Sequence, residues 1–143
     1  MDHHLPLDVC LHIAKAHAAL SRRFDTTLGG LHGISFSDFQ LLHQLNRAAG
    51  NRLRRVDLAE RLGLTPSGVT RSLLPLEKIG LVARQADTRD ARVGYAVLTA
   101  SGKRLLNEAS ETARTTAQEL LKDSSAARLD AMTGMLTQIV ALY

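Results

Sequence analysis

Two short stretches of the chain gather side chains able to read a polyanion. They are Thr65-Pro66-Ser67-Gly68-Val69-Thr70-Arg71 and Asp87-Thr88-Arg89-Asp90-Ala91-Arg92. In the first, helical spacing puts Ser67, Gly68, Thr70 and Arg71 opposite Val69 and Leu73. Hydroxyls serve either bases or phosphates, and an arginine can clamp guanine through O6 and N7. Gly68 lowers helix propensity but lets a backbone approach a groove closely. In the second, Arg89 and Arg92 suit phosphate or minor-groove contact, where negative potential favours arginine. Asp90 beside them fits if it holds an arginine in its working rotamer. The bland alternatives are a plain surface helix and a solvated turn with a local ion pair.

The distribution of charge favours the polyanion. The 143-residue chain carries +4 overall, but residues 47–104 hold twelve Lys or Arg against five Asp or Glu, between acidic flanks. The candidate nucleic-acid contacts are therefore Arg52, Arg54, Arg55, Thr65, Ser67, Gly68, Thr70, Arg71, Lys78, Arg84, Arg89, Asp90 and Arg92. With 45% hydrophobic and 22% charged residues the composition is that of one soluble globular domain. No run approaches the roughly 18 apolar residues of a membrane span. The opening MDHHLPLDVC lacks the basic and apolar regions of a secretory signal. A single cysteine excludes an internal disulfide framework and a Cys-based zinc cage, so a reducing, cytoplasmic setting is expected.

The elements needed to present these stretches can be read in order. Val9, Ile13, Ala16, Leu20, Phe24, Leu28 and Leu31 step by three or four along a first long helix, expected to end at the glycines 29, 30 and 33. Ser35 caps a second helix with Phe36, Phe39, Leu42 and Leu45 on its buried stripe. AAGN closes it before the basic run RLRR at 52–55, and a short third helix carries Leu58, Ala59 and Leu62. Thr65 is the N-cap of a fourth and Pro66 its first residue. That helix should continue across Pro75 with a modest kink, with Leu73, Leu76 and Ile79 as its packing stripe, and stop at Gly80. LVARQA and VGYAVLT then alternate as two strands of a hairpin, whose tip is residues 87–92. Thr99 caps a long helix through Leu105, Leu106, Ala109, Ala113, Ala117, Leu120 and Leu121. KDSS breaks it, and a last helix carries Leu129, Met132, Leu136, Ile139 and Leu142.

Helix, short helix, Gly-containing turn, helix and hairpin is the order of a winged helix-turn-helix. The fold class is thus mainly α with a small β-wing, one domain over residues 1–143. Its lobe spans 35–99, and the flanking helices, 8–34 and 100–143, are too elongated to bury their stripes on it. Pairing with a second copy is their simplest use.

LAERLGLTPSGVTRSLLPLEKIGLV followed by DARVGYAVLTASGKRL resembles the MarR (multiple antibiotic resistance regulator) family of bacterial transcription factors. The family's wing signature, Asp-x-Arg, three residues, Val, one residue, Leu-Thr, is matched at Asp90, Arg92, Leu98 and Thr99, with Ala96 in place of Val. The resemblance runs over essentially the whole chain. It implies a homodimer joined through the first and last two helices, bound to pseudo-palindromic promoter DNA. It further implies a repressor released by a ligand or an oxidant. By matching positions, Arg92 enters the minor groove, Asp90 orients it, and the helix from Pro66 reads the major groove.

Other chemistry is thinner. Cys10 lies roughly where the peroxide-sensing branch of the family keeps its reactive cysteine, which makes a redox-sensing regulator an alternative. However, the tyrosines that support the thiolate in that branch have no counterpart near it, Tyr95 and Tyr143 being remote in sequence. His12 and His17 are five apart and point to different faces, so neither a metal nor a cofactor is expected. His17, Phe36, Phe39 and His43 are candidates to line a small-molecule effector pocket. TPSGV is not a nucleophile elbow, and the chain reads as no enzyme. The alternative of another class is a winged-helix module that docks on protein through Leu74 and Pro75.

Overall fold

The computed structural model describes residues 3–142, so Tyr143 lies outside it. The chain forms a long helix α1 (Leu5–His32), then α2 (Phe36–Arg47) and a 3-10 turn (Ala49–Asn51). There follow a strand β1 (Arg52–Arg54), α3 (Arg55–Leu62), α4 (Pro66–Lys78), the strands β2 (Val82–Ala86) and β3 (Gly94–Leu98), and the helices α5 (Ala100–Leu120) and α6 (Ala126–Ala141). It is a winged helix-turn-helix flanked by long helices. Among the described residues no helix is long and apolar enough to cross a membrane.

The glycine pair 29–30 does not end α1. The helix runs on to His32 and stops at Gly33, whose φ of 69° is left-handed and whose N–H returns to the Gly29 carbonyl at 3.1 Å. Tertiary contacts outweigh the weak propensity of the pair. Leu28 is fully buried beside it, and His32 Nε2 meets Thr112 Oγ1 of α5 at 2.7 Å. Thr27 likewise meets the buried Thr116 hydroxyl at 2.9 Å, so a polar ladder fastens α1 to α5.

The start of α2 is a full capping box. Ser35 accepts from the Asp38 N–H at 3.0 Å, and Asp38 accepts from the Ser35 N–H at 2.9 Å. Leu41, Leu42 and Leu45 are fully buried, whereas Phe36 and Phe39 are half-buried. Against them pack Leu58, Val69, Leu73 and Leu76 of the helix-turn-helix, Ala96 and Leu98 of β3, and Leu106 and Ala109 of α5.

The run RLRR is more than a charged linker. Arg52–Arg54 pairs with β3 (Arg52 to Val97, Leu53 to Ala96, Arg54 to Tyr95), giving a three-stranded antiparallel sheet in the order β1-β3-β2 instead of a simple hairpin. Side-chain alternation explains the pattern: Leu53 is buried while the arginines on either side face out. Ala96, at the signature's Val position, is buried between Leu53 and Arg84 in register.

Helix α4 continues through Pro75 and closes on a Schellman motif. Gly80 has φ of 80°, its N–H bonds to Glu77, and the Leu81 N–H reaches back to Leu76. Leu73 and Leu76 are buried as expected, but Ile79 is not. It is the C-cap residue, where the chain leaves the helical face, and it is 63% exposed.

Thr99 joins the wing to α5. Its hydroxyl lies 2.6 Å from the Gly80 carbonyl and 3.0 Å from that of Leu81, and accepts from the Gly102 N–H at 3.0 Å. Gly102 is buried so closely that a Cβ there would stand 2.1 Å from the Leu81 carbonyl oxygen. Helix α6 buries no residue, and Leu5, Leu7, Val9 and Leu11 at the start of α1 are exposed.

Candidate nucleic-acid interface

The first turn of α4 is fixed from within. Thr65 Oγ1 accepts the Gly68 N–H at 3.1 Å, so the threonine is used as a cap, and a Cβ at Gly68 would stand 3.1 Å from that same oxygen. Glycine here makes room for the cap. Thr70 bonds back to the Pro66 carbonyl at 3.2 Å. Ser67 and Arg71 are exposed, and Arg71 has no ion-pair partner among the described residues. The helix thus offers its cation and one hydroxyl outward on a backbone already held.

The wing tip is organised by an aspartate that the sequence does not flag. Asp87 Oδ1 accepts the N–H groups of Arg89 (2.7 Å) and Asp90 (3.3 Å), while Oδ2 accepts the Tyr95 hydroxyl at 3.1 Å. Its carboxyl is held below the ordinary aspartate range, chiefly by the Arg89 N–H and then by the Tyr95 hydroxyl. Tyr95 in turn lies under Arg52, whose guanidinium carbon is 4.4 Å from the ring centroid and which also donates to Gln85 at 3.0 Å. An Asx turn opening DTRD and an aromatic one strand away were the available signals for this hub.

Asp90 grips Arg92. Its Oδ1 accepts the Arg92 backbone N–H (3.0 Å) and Nε–H (3.1 Å), and its Oδ2 accepts from a terminal nitrogen at 3.3 Å. The Arg92 side chain nevertheless remains 91% exposed. The same side-chain bond is the main reason that the Asp90 carboxyl is held below its ordinary range. Arg89 and Lys78 are exposed with no ion pair among the described residues.

The remaining arginines are partly committed. Arg54 Nε donates to Asp57 at 3.0 Å. Arg84 Nε donates to both Glu77 oxygens, at 2.9 and 3.0 Å, tying β2 to α4 and leaving its terminal nitrogens for other partners. Arg55 has a buried Nε with no acceptor among the described residues.

Of the four effector candidates, three come together. Phe36 stacks on Phe24 at 4.3 Å, Phe39 follows at 6.5 Å, and His43 stacks on Phe39 at 6.1 Å. Burial, and then the charge of Arg47, push the His43 pKa down, so its ring is neutral near pH 7. His17 stands exposed on α1. Cys10 is a free, exposed thiol on the same helix.

Residues 32–93 match the model of the MarR family. The structure superposes over its whole length on the transcriptional regulator BldR of Sulfolobus solfataricus, with a TM-score of 0.91 and 28% identity, covering 99% of that chain. The fold, and residues 32–93 in sequence, are thus similar to MarR-family regulators. Sco3205, a MarR family transcriptional regulator of Streptomyces coelicolor solved in complex with DNA, aligns with a TM-score of 0.84 and 26% identity over 93% of this chain and 83% of that one. Among curated proteins, the transcriptional regulator AdcR of Streptococcus pyogenes is 35% identical over 82 residues. That match takes in 54% of this chain and only 56% of the relative. The segment matched by the family model contains α2, the helix-turn-helix and the wing up to Val93.

Proposed function

We propose that this chain binds pseudo-palindromic promoter DNA as a homodimer and acts as a transcriptional repressor released by a small-molecule effector. The observation that carries the DNA reading is Arg92, fixed by three hydrogen bonds to Asp90 yet 91% exposed. A cation oriented in advance and turned to solvent has a partner outside its own chain, and an arginine at a wing tip suits the minor groove. The free Arg71 on α4 supplies base contact in the major groove. Sco3205, solved with DNA, supports the same reading. Dimerisation is supported by the apolar faces of α6 and the start of α1, which this chain leaves open. The Phe36–Phe39–His43 column between the lobe and α1 is the place we assign to an effector.

Fluorescence anisotropy with a promoter duplex and a random duplex tests the roles. Arg92→Ala should weaken both complexes strongly. Arg71→Ala should relax preference at one base pair by about 1–3 kcal/mol. Undiminished, sequence-selective binding by the double variant would refute the assignment.

A further inference from the structure

We propose that Glu77 is a positioning residue for DNA recognition, acting through Arg84. By holding that arginine it fixes the wing against α4, and so sets the spacing at which Arg71 and Arg92 engage one duplex together. This role rests on the proposed DNA binding. Arg84 Nε donates to both carboxylate oxygens of Glu77, at 2.9 and 3.0 Å. The other ion pairs of the lobe, Arg54–Asp57 and Arg92–Asp90, lie within three residues of each other in sequence, whereas this one spans seven to join α4 to β2. Glu77 is also the least exposed acid of the three, at 18% against 38% for Asp57 and 41% for Asp90.

Little else ties this edge of the wing to the helix. Val82 is buried at the root of β2, but its remaining residues are exposed. The order β1-β3-β2 puts β2 at the rim of the sheet, so β1 holds only the far side. Among the described residues no other side-chain hydrogen bond joins α4 to β2. Residues 79–81 alone separate the two elements, so a small rotation there would swing the wing tip through a larger arc. Glu77 and Arg84 stand on opposite sides of that turn and close it with a second tie. A half-exposed ion pair adds little to global stability, so the worth of this one is the angle it fixes. Two grooves of one duplex lie a set distance apart, and a reader with that angle already fixed loses less freedom on binding. A direct phosphate contact by Arg84 predicts the opposite result when Glu77 is removed, since the arginine would then be released.

Fluorescence anisotropy of the full-length protein, on a duplex that it enriches from a randomised library, tests the role. Copies of that duplex carry one extra base pair, at successive steps across each half-site or at the centre. The parent should bind a half-site insertion about tenfold less tightly than the uninterrupted duplex. Glu77→Ala keeps a strong helix former and should melt within a few degrees of the parent. It should reduce the preference to less than about threefold, while the penalty for the central insertion, which separates two copies, stays unchanged. The charge swap Glu77→Arg with Arg84→Glu should restore the preference. Tighter binding of every duplex by Glu77→Ala, with the preference intact, makes Arg84 a phosphate contact and overturns the proposal. So does a Glu77→Ala protein that behaves like the parent, a markedly lowered melt, or a folded swap that restores nothing. A parent indifferent to half-site insertions, or a central penalty that relaxes, overturns it equally. Duplex binding without the spacing effect refutes this role alone; a parent that binds no duplex refutes the DNA reading and this role with it.

Discussion

The lobe of residues 35–99 and helix α6 are both striped with apolar side chains, yet they treat them oppositely. In the lobe, Leu41, Leu42, Leu45, Leu58, Val69 and Leu73 are fully out of solvent. In α6, Met132, Met135, Leu136, Ile139 and Val140 are all exposed, and the helix buries nothing. A stripe at helical spacing says that a face will be covered, and leaves open whether the same chain covers it. The lobe is therefore covered within one chain, while the stripe of α6 is left open.

Leu42→Ala against Ile139→Asp is the sharpest way to break that contrast. Leu42→Ala should cost about 2–5 kcal/mol through the cavity it leaves, at any protein concentration. Ile139→Asp should lower stability only where the parent is dimeric, with sedimentation showing monomer. A monomeric parent, or a concentration-independent loss for Ile139→Asp, would erase the distinction. Gly102→Ala probes the lobe's seam with α5 more gently, and overpacking against the Leu81 carbonyl should cost about 1–3 kcal/mol in urea denaturation. The smallest effect is expected at the wing. The folded-state pKa values of Asp87 and Asp90 are both depressed, so their contribution is complete above the ordinary aspartate value. It fades only as pH falls through the lower folded values. Carboxyl 13C shifts should therefore show the wing tip intact at pH 5 and loosening well below pH 4. Loosening between pH 5 and 7 would contradict the hub geometry.

Much of the fold was legible because its signals are local. Ser35, Thr65 and Thr99 each announce a helix start, and each accepts the expected N–H three residues on. Gly33, Gly63 and Gly80 take the left-handed conformations that end helices. What escaped the reading depends on distant partners. Three residues of RLRR are too few to show alternation, and they become a strand only because β3 offers an open edge. The glycine pair 29–30 looks like a stop until α5 is placed alongside. At the candidate site, the Asp90–Arg92 pair sits two residues apart and could be foreseen. Asp87 gains its meaning from Tyr95 across the hairpin, and Arg84 its restraint from Glu77 on another element. Residue type identified the cations, but only tertiary structure separates those already engaged from those still available.

The Thr99 junction has a mechanical consequence. One hydroxyl is shared between the end of the α4 turn and the first turn of α5, with Gly102 pressed against the same carbonyl. The joint is tight, so α5 would act as a lever arm with the winged lobe fixed to its end. In the proposed dimer, a few degrees of tilt between the two α5 helices would be delivered to the wing tips as a change in span. The gap between two points on a duplex would then be set at a hinge far from either.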